Sequence, residues 1–215
     1  MNLQKLIEIL LQFLSNSIKP RPDIPKSEPP KERPDTENPQ NITEDKVIPD
    51  TAPQTIGPTQ NKKWCAPIRI DKFRVTQKFL TPDSDNYPKT GHHPGTDYGT
   101  QGEDNVPLYF CADGEVIENG NNHKYFGNYF FFYVPEVNRT FIYFHLRDAA
   151  PSKGQYKAGQ KCGITGQTGL SYGIHLHLEC MKGRKTSSDR ASLYTSKDAL
   201  AAAAEDADDF IRSRI

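Results

Sequence analysis

The sequence lacks several features that would direct it toward common classes of function. No run of about 18 apolar residues occurs in the 215-residue chain, so no transmembrane segment is expected. Charge of neither sign is in excess, with 27 basic and 27 acidic residues. Electrostatic attraction to nucleic acid or anionic lipid is therefore not the driving force expected here. The four cysteines, Cys65, Cys111, Cys162 and Cys180, include no Cys-x-x-Cys pair, which argues against a zinc ribbon or a redox motif. Cys111, Cys162 and Cys180 sit in strand-like stretches, where a thiol packs as a small hydrophobe. Buried free thiols are the expectation, with a disulfide the alternative in an exported protein.

What is present is segmented. Residues 1–18 carry Leu3, Leu6, Ile7, Leu10, Phe13 and Leu14 at three- and four-residue spacing, which predicts an amphipathic helix. Lys5, Glu8 and Gln12 interrupt the apolar run, and no small-x-small cleavage site follows, so a signal peptide is the weaker reading. Such a helix self-associates or docks a partner. Its polar face lacks the Lys/Arg richness of a lipid-binding helix. Residues 19–63 hold ten of the 17 prolines and almost no large apolar side chains. A segment of that kind cannot bury enough surface to offset its ordering entropy, and a disordered, semi-stiff linker is expected.

Residues 64–194 read as strands broken by turn signals such as Asp113-Gly114 and Asn119-Gly120. From Thr195 an alanine-rich stretch predicts one C-terminal helix over 195–215, resting on the domain through Leu200, Phe210 and Ile211. The expected fold is mainly β: an antiparallel sheet or sandwich-like domain, with a short N-terminal helix, a linker and a C-terminal helix.

Five of the six histidines fall in three segments. In Gly91-His92-His93-Pro94-Gly95-Thr96-Asp97, His93 and Asp97 lie four apart in turn-rich chain and could converge on a cation. In Ile174-His175-Leu176-His177-Leu178-Glu179, strand alternation puts His175 and His177 on one face and the leucines on the other. In Tyr143-Phe144-His145-Leu146, the same logic pairs Tyr143 with His145, and Phe144 with Leu146. Imidazole and carboxylate donors suit zinc, and three protein ligands with one open position mark a catalytic site. Glu179 shares the face of His177, either orienting a histidine or forming a structural ion pair. Tyr143 hydrogen-bonds substrate or closes the groove wall; His92 and His123 are read as exposed loop residues.

The stretch from His93 to Glu179 resembles the lysostaphin/LytM family of zinc endopeptidases, which have the duplicated hybrid motif fold. The resemblance rests on His93-Pro94-Gly95-Thr96-Asp97, on Val106-Pro107-Leu108-Tyr109 with Ala112-Asp113-Gly114-Glu115-Val116, and on Tyr143-Phe144-His145-Leu146. The glycine-bearing Gly159 to Gly169 loop and His175-Leu176-His177-Leu178-Glu179 complete it. It implies one Zn2+ per chain, with His93, Asp97 and His177 as metal ligands and His145 and His175 as the catalytic pair. It also implies hydrolysis of peptide cross-links or stem peptides of bacterial peptidoglycan at the cell wall. A phage lysin, virion-borne or released at lysis, is the expected setting, with a bacterial wall-remodelling enzyme exported by an unusual signal as the alternative. A non-catalytic, peptidoglycan-binding component of an assembly such as a phage tail is the alternative. The Asn-rich stretch Asn119 to Phe126 departs from the family pattern where loops shape the substrate groove.

Overall fold

In a computed structural model of the protein, residues 63–215 are described. The helix expected over residues 1–18, and residues 19–62 of the expected linker, lie outside the described residues. Ten strands follow: β1 (Arg74–Gln77), β2 (Thr96–Gly99), β3 (Pro107–Tyr109), β4 (Gly114–His123), β5 (Gly127–Val134), β6 (Arg139–Leu146), β7 (Gly154–Tyr156), β8 (Lys161–Ile164), β9 (His175–Lys182) and β10 (Ala204–Glu205). Three short helices close the chain: α1 (Ser187–Leu193), α2 (Lys197–Ala203) and α3 (Ala207–Arg212).

The larger sheet has the order β1-β2-β9-β6-β5-β4-β7, with β10 also paired to β9, and β3 and β8 form a separate two-stranded sheet. Every strand pair is antiparallel. The mainly β antiparallel fold expected from the strand-like runs is therefore present.

The central strands are apolar on both faces, which is why β5 reads Tyr129-Phe130-Phe131-Phe132 rather than alternating with polar residues. One face carries Phe130, Phe132, Phe141, Tyr143, Leu146, Leu176 and Leu178, packed with Ile68, Leu108, Phe110 and Cys162. On the other face, Phe131, Ile142, Phe144 and Met181 pack against Tyr194 and Leu200 of the C-terminal segments. All four cysteines are free thiols, and Cys111, Cys162 and Cys180 are buried.

The single C-terminal helix expected from Thr195 is instead two helices, α2 and α3, separated by β10. Ala204 leaves the helical region at φ −135° and ψ 174° and pairs with Met181, and Glu205 pairs with Cys180. Helix propensity in the alanine run yields here to the β9 backbone, whose edge beyond β2 needs hydrogen-bond partners. The expected contacts remain: Leu200 and Ile211 are buried and Phe210 packs at the core's edge. A further helix, α1, was not expected. Its capping box, in which the Thr186 side chain takes the Asp189 N–H and Asp189 takes the Thr186 N–H, was the available signal.

Candidate metal centre and active-site cleft

Strand β9 lies between β2 and β6, and its register brings the chemistry together. Asp97 sits directly opposite His177, and Phe144 of β6 opposite His177 on the other side. His175, His177 and Glu179 project from the helix-covered face, while Leu176 and Leu178 go into the opposite core. Gly95 makes the close approach possible: a Cβ there would lie 2.6 Å from the Leu178 carbonyl oxygen and 2.9 Å from His177 Nε2.

Three donor atoms converge. His93 Nε2 is 3.1 Å from His177 Nδ1 and 3.2 Å from Asp97 Oδ1, and His177 Nδ1 is 2.8 Å from Asp97 Oδ1. Among the described residues, these three form the one cluster of His, Cys, Asp and Glu donors close enough to share an ion. The other ring nitrogens show what fills the space. His93 Nδ1 lies 3.1 Å from the Lys78 carbonyl, and His177 Nε2 lies 3.0 Å from the Glu179 carboxylate. Both partners only accept, so each of those nitrogens carries the hydrogen. The lone pairs of His93 Nε2 and His177 Nδ1 therefore face the Asp97 carboxylate, an arrangement that repels itself unless a cation or a proton lies among them. A tetrahedral zinc ion with bonds of about 2.0–2.1 Å holds its ligands about 3.3 Å apart, so the set fits zinc after adjustments of a few tenths of an ångström.

The electrostatics agree. Burial would lower the His177 pKa, but Asp97 and Glu179 outweigh it and push it up to about 9 when no metal is bound. Burial would raise Asp97, yet the imidazoles of His177 and His93 hold it well below the usual carboxylate range. Glu179 is completely buried and stays ionised, its pKa held to about 2. There burial is opposed by the Arg190 guanidinium and by the His177 hydrogen bond.

His145 and His175 stand beside this cluster, with ring centroids 4.8 Å apart. Each is held by backbone: His145 Nδ1 donates to the Thr168 carbonyl at 2.7 Å, and His175 Nδ1 to the Gly173 carbonyl at 2.8 Å. Each Nε2 is left as an acceptor, and His175 Nε2 lies 3.8 Å from Asp97 Oδ1. Burial, together with the charge of His177 and His175, brings His145 down to about 3. Burial also lowers His175, partly offset by Asp97. Both imidazoles are neutral near pH 7.

The route by which His145 reaches the site corrects the alternation expected for its strand. Asn128 pairs with Leu146 and Phe130 with Tyr143, so two residues of β6 oppose one of β5. This is a β-bulge, and His145 takes a left-handed φ of 64° within it. Phe144 and His145 consequently line the cleft together, while Tyr143 and Leu146 go into the core. Tyr143 is fully buried, stacks on Phe130 and donates its hydroxyl to the Tyr109 carbonyl, so it contributes nothing to a groove wall. Phe144, missed as a functional residue, stacks on the His177 ring at 5.3 Å between centroids and 9° between planes.

His92 is half-buried against Thr90 and His123 is exposed; neither joins the cluster. Glu179 combines the two roles left open for it, orienting His177 and pairing with Arg190, whose side chain lies 2.6 Å away.

The site opens into a cleft of about 840 Å³ lined by Asp97, His145, His175, His177, Tyr87, Arg190 and residues of the surrounding loops. Among the described residues, four large apolar side chains are exposed, and three of them, Tyr125, Leu170 and Tyr172, stand at this cleft.

Residues 91–189 match the sequence model of peptidase family M23. The chain is 37% identical over 134 residues to peptidoglycan DD-endopeptidase ShyB of Vibrio cholerae serotype O1, a match covering 60% of this chain and 30% of that protein. It is 35% identical over 130 residues to peptidoglycan DD-endopeptidase ShyA of the same organism, covering 57% of this chain and 28% of the relative. The chain thus spans under a third of the length of either relative. The catalytic domain of lysostaphin from Staphylococcus simulans superimposes with a TM-score of 0.52 at 21% identity, covering 66% of this chain and 94% of that domain. That likeness concerns the fold alone.

Proposed function

From the match of residues 91–189 to the peptidase family M23 model, we propose that the chain is a zinc metallo-endopeptidase that hydrolyses peptide cross-links or stem peptides of bacterial peptidoglycan. One observation carries this reading. Three metal-compatible acceptors meet within 3.2 Å of one another beside two neutral imidazoles in a single open cleft. A structural metal site needs no such imidazoles and no cleft, and their presence favours catalysis over a role limited to tethering the wall.

His93, Asp97 and His177 would hold the ion. Bound zinc supplies Lewis acidity, lowering the pKa of water toward about 7 and polarising a carbonyl. The protein's own groups do the proton work. His145 and His175 are neutral, and each presents an Nε2 lone pair while its Nδ1–H is fixed by a carbonyl. One accepts a proton from the attacking water. That proton then goes from the imidazolium to the leaving amine, directly or by way of the other imidazole, and an imidazole so protonated at Nε2 donates to the carbonyl oxygen and stabilises its charge. Fixing both tautomers in advance removes a reorganisation step from the reaction.

Similarity to the two DD-endopeptidases favours a D,D-cross-link over a glycine bridge as the scissile bond. Action at the cell wall, with delivery by a phage particle or release at lysis, is the setting we propose. Detection of this chain by mass spectrometry in purified particles from the source would test that setting. The enzymatic reading is tested by digesting purified sacculi from several bacteria and reading the products by mass spectrometry. New amino termini should appear, vanish with a chelator and return with zinc. Zinc-loaded protein that binds sacculi and releases nothing would overturn it.

A further inference from the structure

We propose that Arg190 and Tyr194 are positioning residues for the metal ligand His177, acting through Glu179; the proposal rests on the zinc-site reading above. Both residues lie just past the end of the family match at residue 189.

The argument begins with the lone pairs of one carboxylate. Glu179 is fully buried, and an ionised carboxylate offers about four acceptor positions. Four donors occupy them. Oε1 accepts from His177 Nε2 at 3.0 Å and from Arg190 Nη2 at 2.6 Å. Oε2 accepts from Arg190 Nε at 2.9 Å and from the Tyr194 hydroxyl at 3.0 Å. With every position filled, the carboxylate cannot rotate without breaking a bond in a site closed to water. The oxygen facing His177 is therefore fixed, and with it the ring nitrogen that carries hydrogen. Nδ1 is left as the metal donor.

The anchor is itself secured. The Arg190 guanidinium lies over the rings of Tyr194 at 4.7 Å, Phe126 at 5.2 Å and Phe144 at 5.5 Å. Phe144 stacks in turn on His177, so the His177 ring and the Arg190 guanidinium are braced by the same side chain. Helix α1 presents Arg190 because the Thr186–Asp189 capping box fixes its start, and Tyr194 closes it with an N–H to the Arg190 carbonyl at 3.0 Å. Charge points the same way. Asp97, partly buried, and Glu179, fully buried, are two carboxylates near one metal position, and Arg190 offsets the one that is not a donor to it.

The test uses the full chain, with Arg190→Met, Arg190→Lys and Tyr194→Phe beside the unaltered protein. Zinc affinity is measured by chelator competition, and cobalt(II)-loaded samples are compared by visible absorption, which reports donor geometry. Arg190→Met should lower zinc affinity by about 10- to 100-fold and alter the cobalt spectrum, the range typical for losing an outer partner of a ligating histidine. Arg190→Lys keeps the charge and loses the fork, so it should fall between Met and Arg. Tyr194→Phe removes one of four donors and should cost only a few-fold. Folded variants with unaltered zinc affinity and cobalt spectra would overturn the proposal and leave the network a purely structural one. If Arg190→Met does not fold, the graded Lys and Phe variants decide the matter by the same two readouts. An unaltered protein that takes up no zinc would instead sink the metal-site reading, a distinct outcome.

Discussion

The two halves of the site are built on different principles. The half we propose for the metal, His93, Asp97 and His177, is charged, with both imidazoles buried and Asp97 partly so, and His177 takes its orientation from other side chains, Glu179 above all. The half we propose for proton transfer, His145 and His175, is neutral, and backbone carbonyls of Thr168 and Gly173 hold it. The difference follows from the task. A cation needs fixed negative charge and converging lone pairs, whereas a proton carrier must be able to change its own charge. A carboxylate partner would hold a histidine protonated, as Asp97 and Glu179 do to His177 without metal; a carbonyl fixes the tautomer with far less pull.

The sharpest way to break this comparison is one substitution in each half. His177→Ala should abolish both stoichiometric zinc binding and peptide hydrolysis. His145→Ala should leave zinc affinity within a few-fold and lower kcat by about 10²–10⁴, the usual worth of a positioned general acid or base. Zinc content by elemental analysis and turnover on muropeptides check both. If His145→Ala loses zinc as completely as His177→Ala, the halves are not separable.

The halves also differ in how far the sequence disclosed them. On β9 the two-residue period of a strand is unbroken, so the shared face of His175, His177 and Glu179 could be read directly from their spacing. On β6 the same rule misassigned Tyr143 and Phe144. A bulge adds one residue, and the left-handed φ of His145 turns it to the cleft; neither leaves a mark in a Tyr-Phe-His-Leu string with no glycine. The glycines that accommodate the bulge are elsewhere. Gly127 and Gly169, with φ of 67° and 77°, pack where the backbones of β5 and the Thr168 loop nearly touch, and a Cβ on either would meet backbone within 2.3 Å. Pairing across 40 residues of chain is a tertiary fact. Helix α1 went unexpected although Thr186-x-x-Asp189 offered a capping signal for it, and the alanine run after Thr195 promised more helix than the exposed edge of β9 allowed.

A second prediction sharpens the contrast in charge. Without metal, His177 keeps its second proton up to about pH 9, and zinc can use Nδ1 only after that proton leaves. Zinc affinity should therefore rise about tenfold per pH unit between roughly 6.5 and 9 and level off above. Stability of the metal-free protein runs the opposite way. A pKa raised in the folded state contributes stability that is fully present below the unfolded value, about 6.5, and is lost as pH rises through about 9. Melting temperature against pH, with and without zinc, should give two diverging curves. Calorimetry in buffers of different ionisation enthalpy should count one proton released per zinc at neutral pH. A zinc affinity flat across this range would mean that His177 carries no proton to displace.

The smallest expected effect lies at the cleft mouth, where neither half acts. Tyr172 is 81% exposed, and Tyr125 and Leu170 stand near it at 52% and 48%. Large apolar groups left in water beside a cleft are stabilised only when something covers them, and in the peptidase proposed here that something is substrate. Contacts at the rim lie away from the reacting bond and are made equally in ground and transition states, so they affect KM and leave kcat alone. Covering about 40–60 Å² of apolar surface at roughly 25 cal/mol per Å² gives about 1–1.5 kcal/mol, so Tyr172→Ala should raise KM by about 5- to 13-fold. Tyr172→Phe should do less, since the ring is kept and only the long hydroxyl contact to Asn86, 3.4 Å, is removed. A fall in kcat with Tyr172→Ala would show instead that the rim helps to place the scissile bond, and the division of labour proposed for the cleft would have to extend to its mouth.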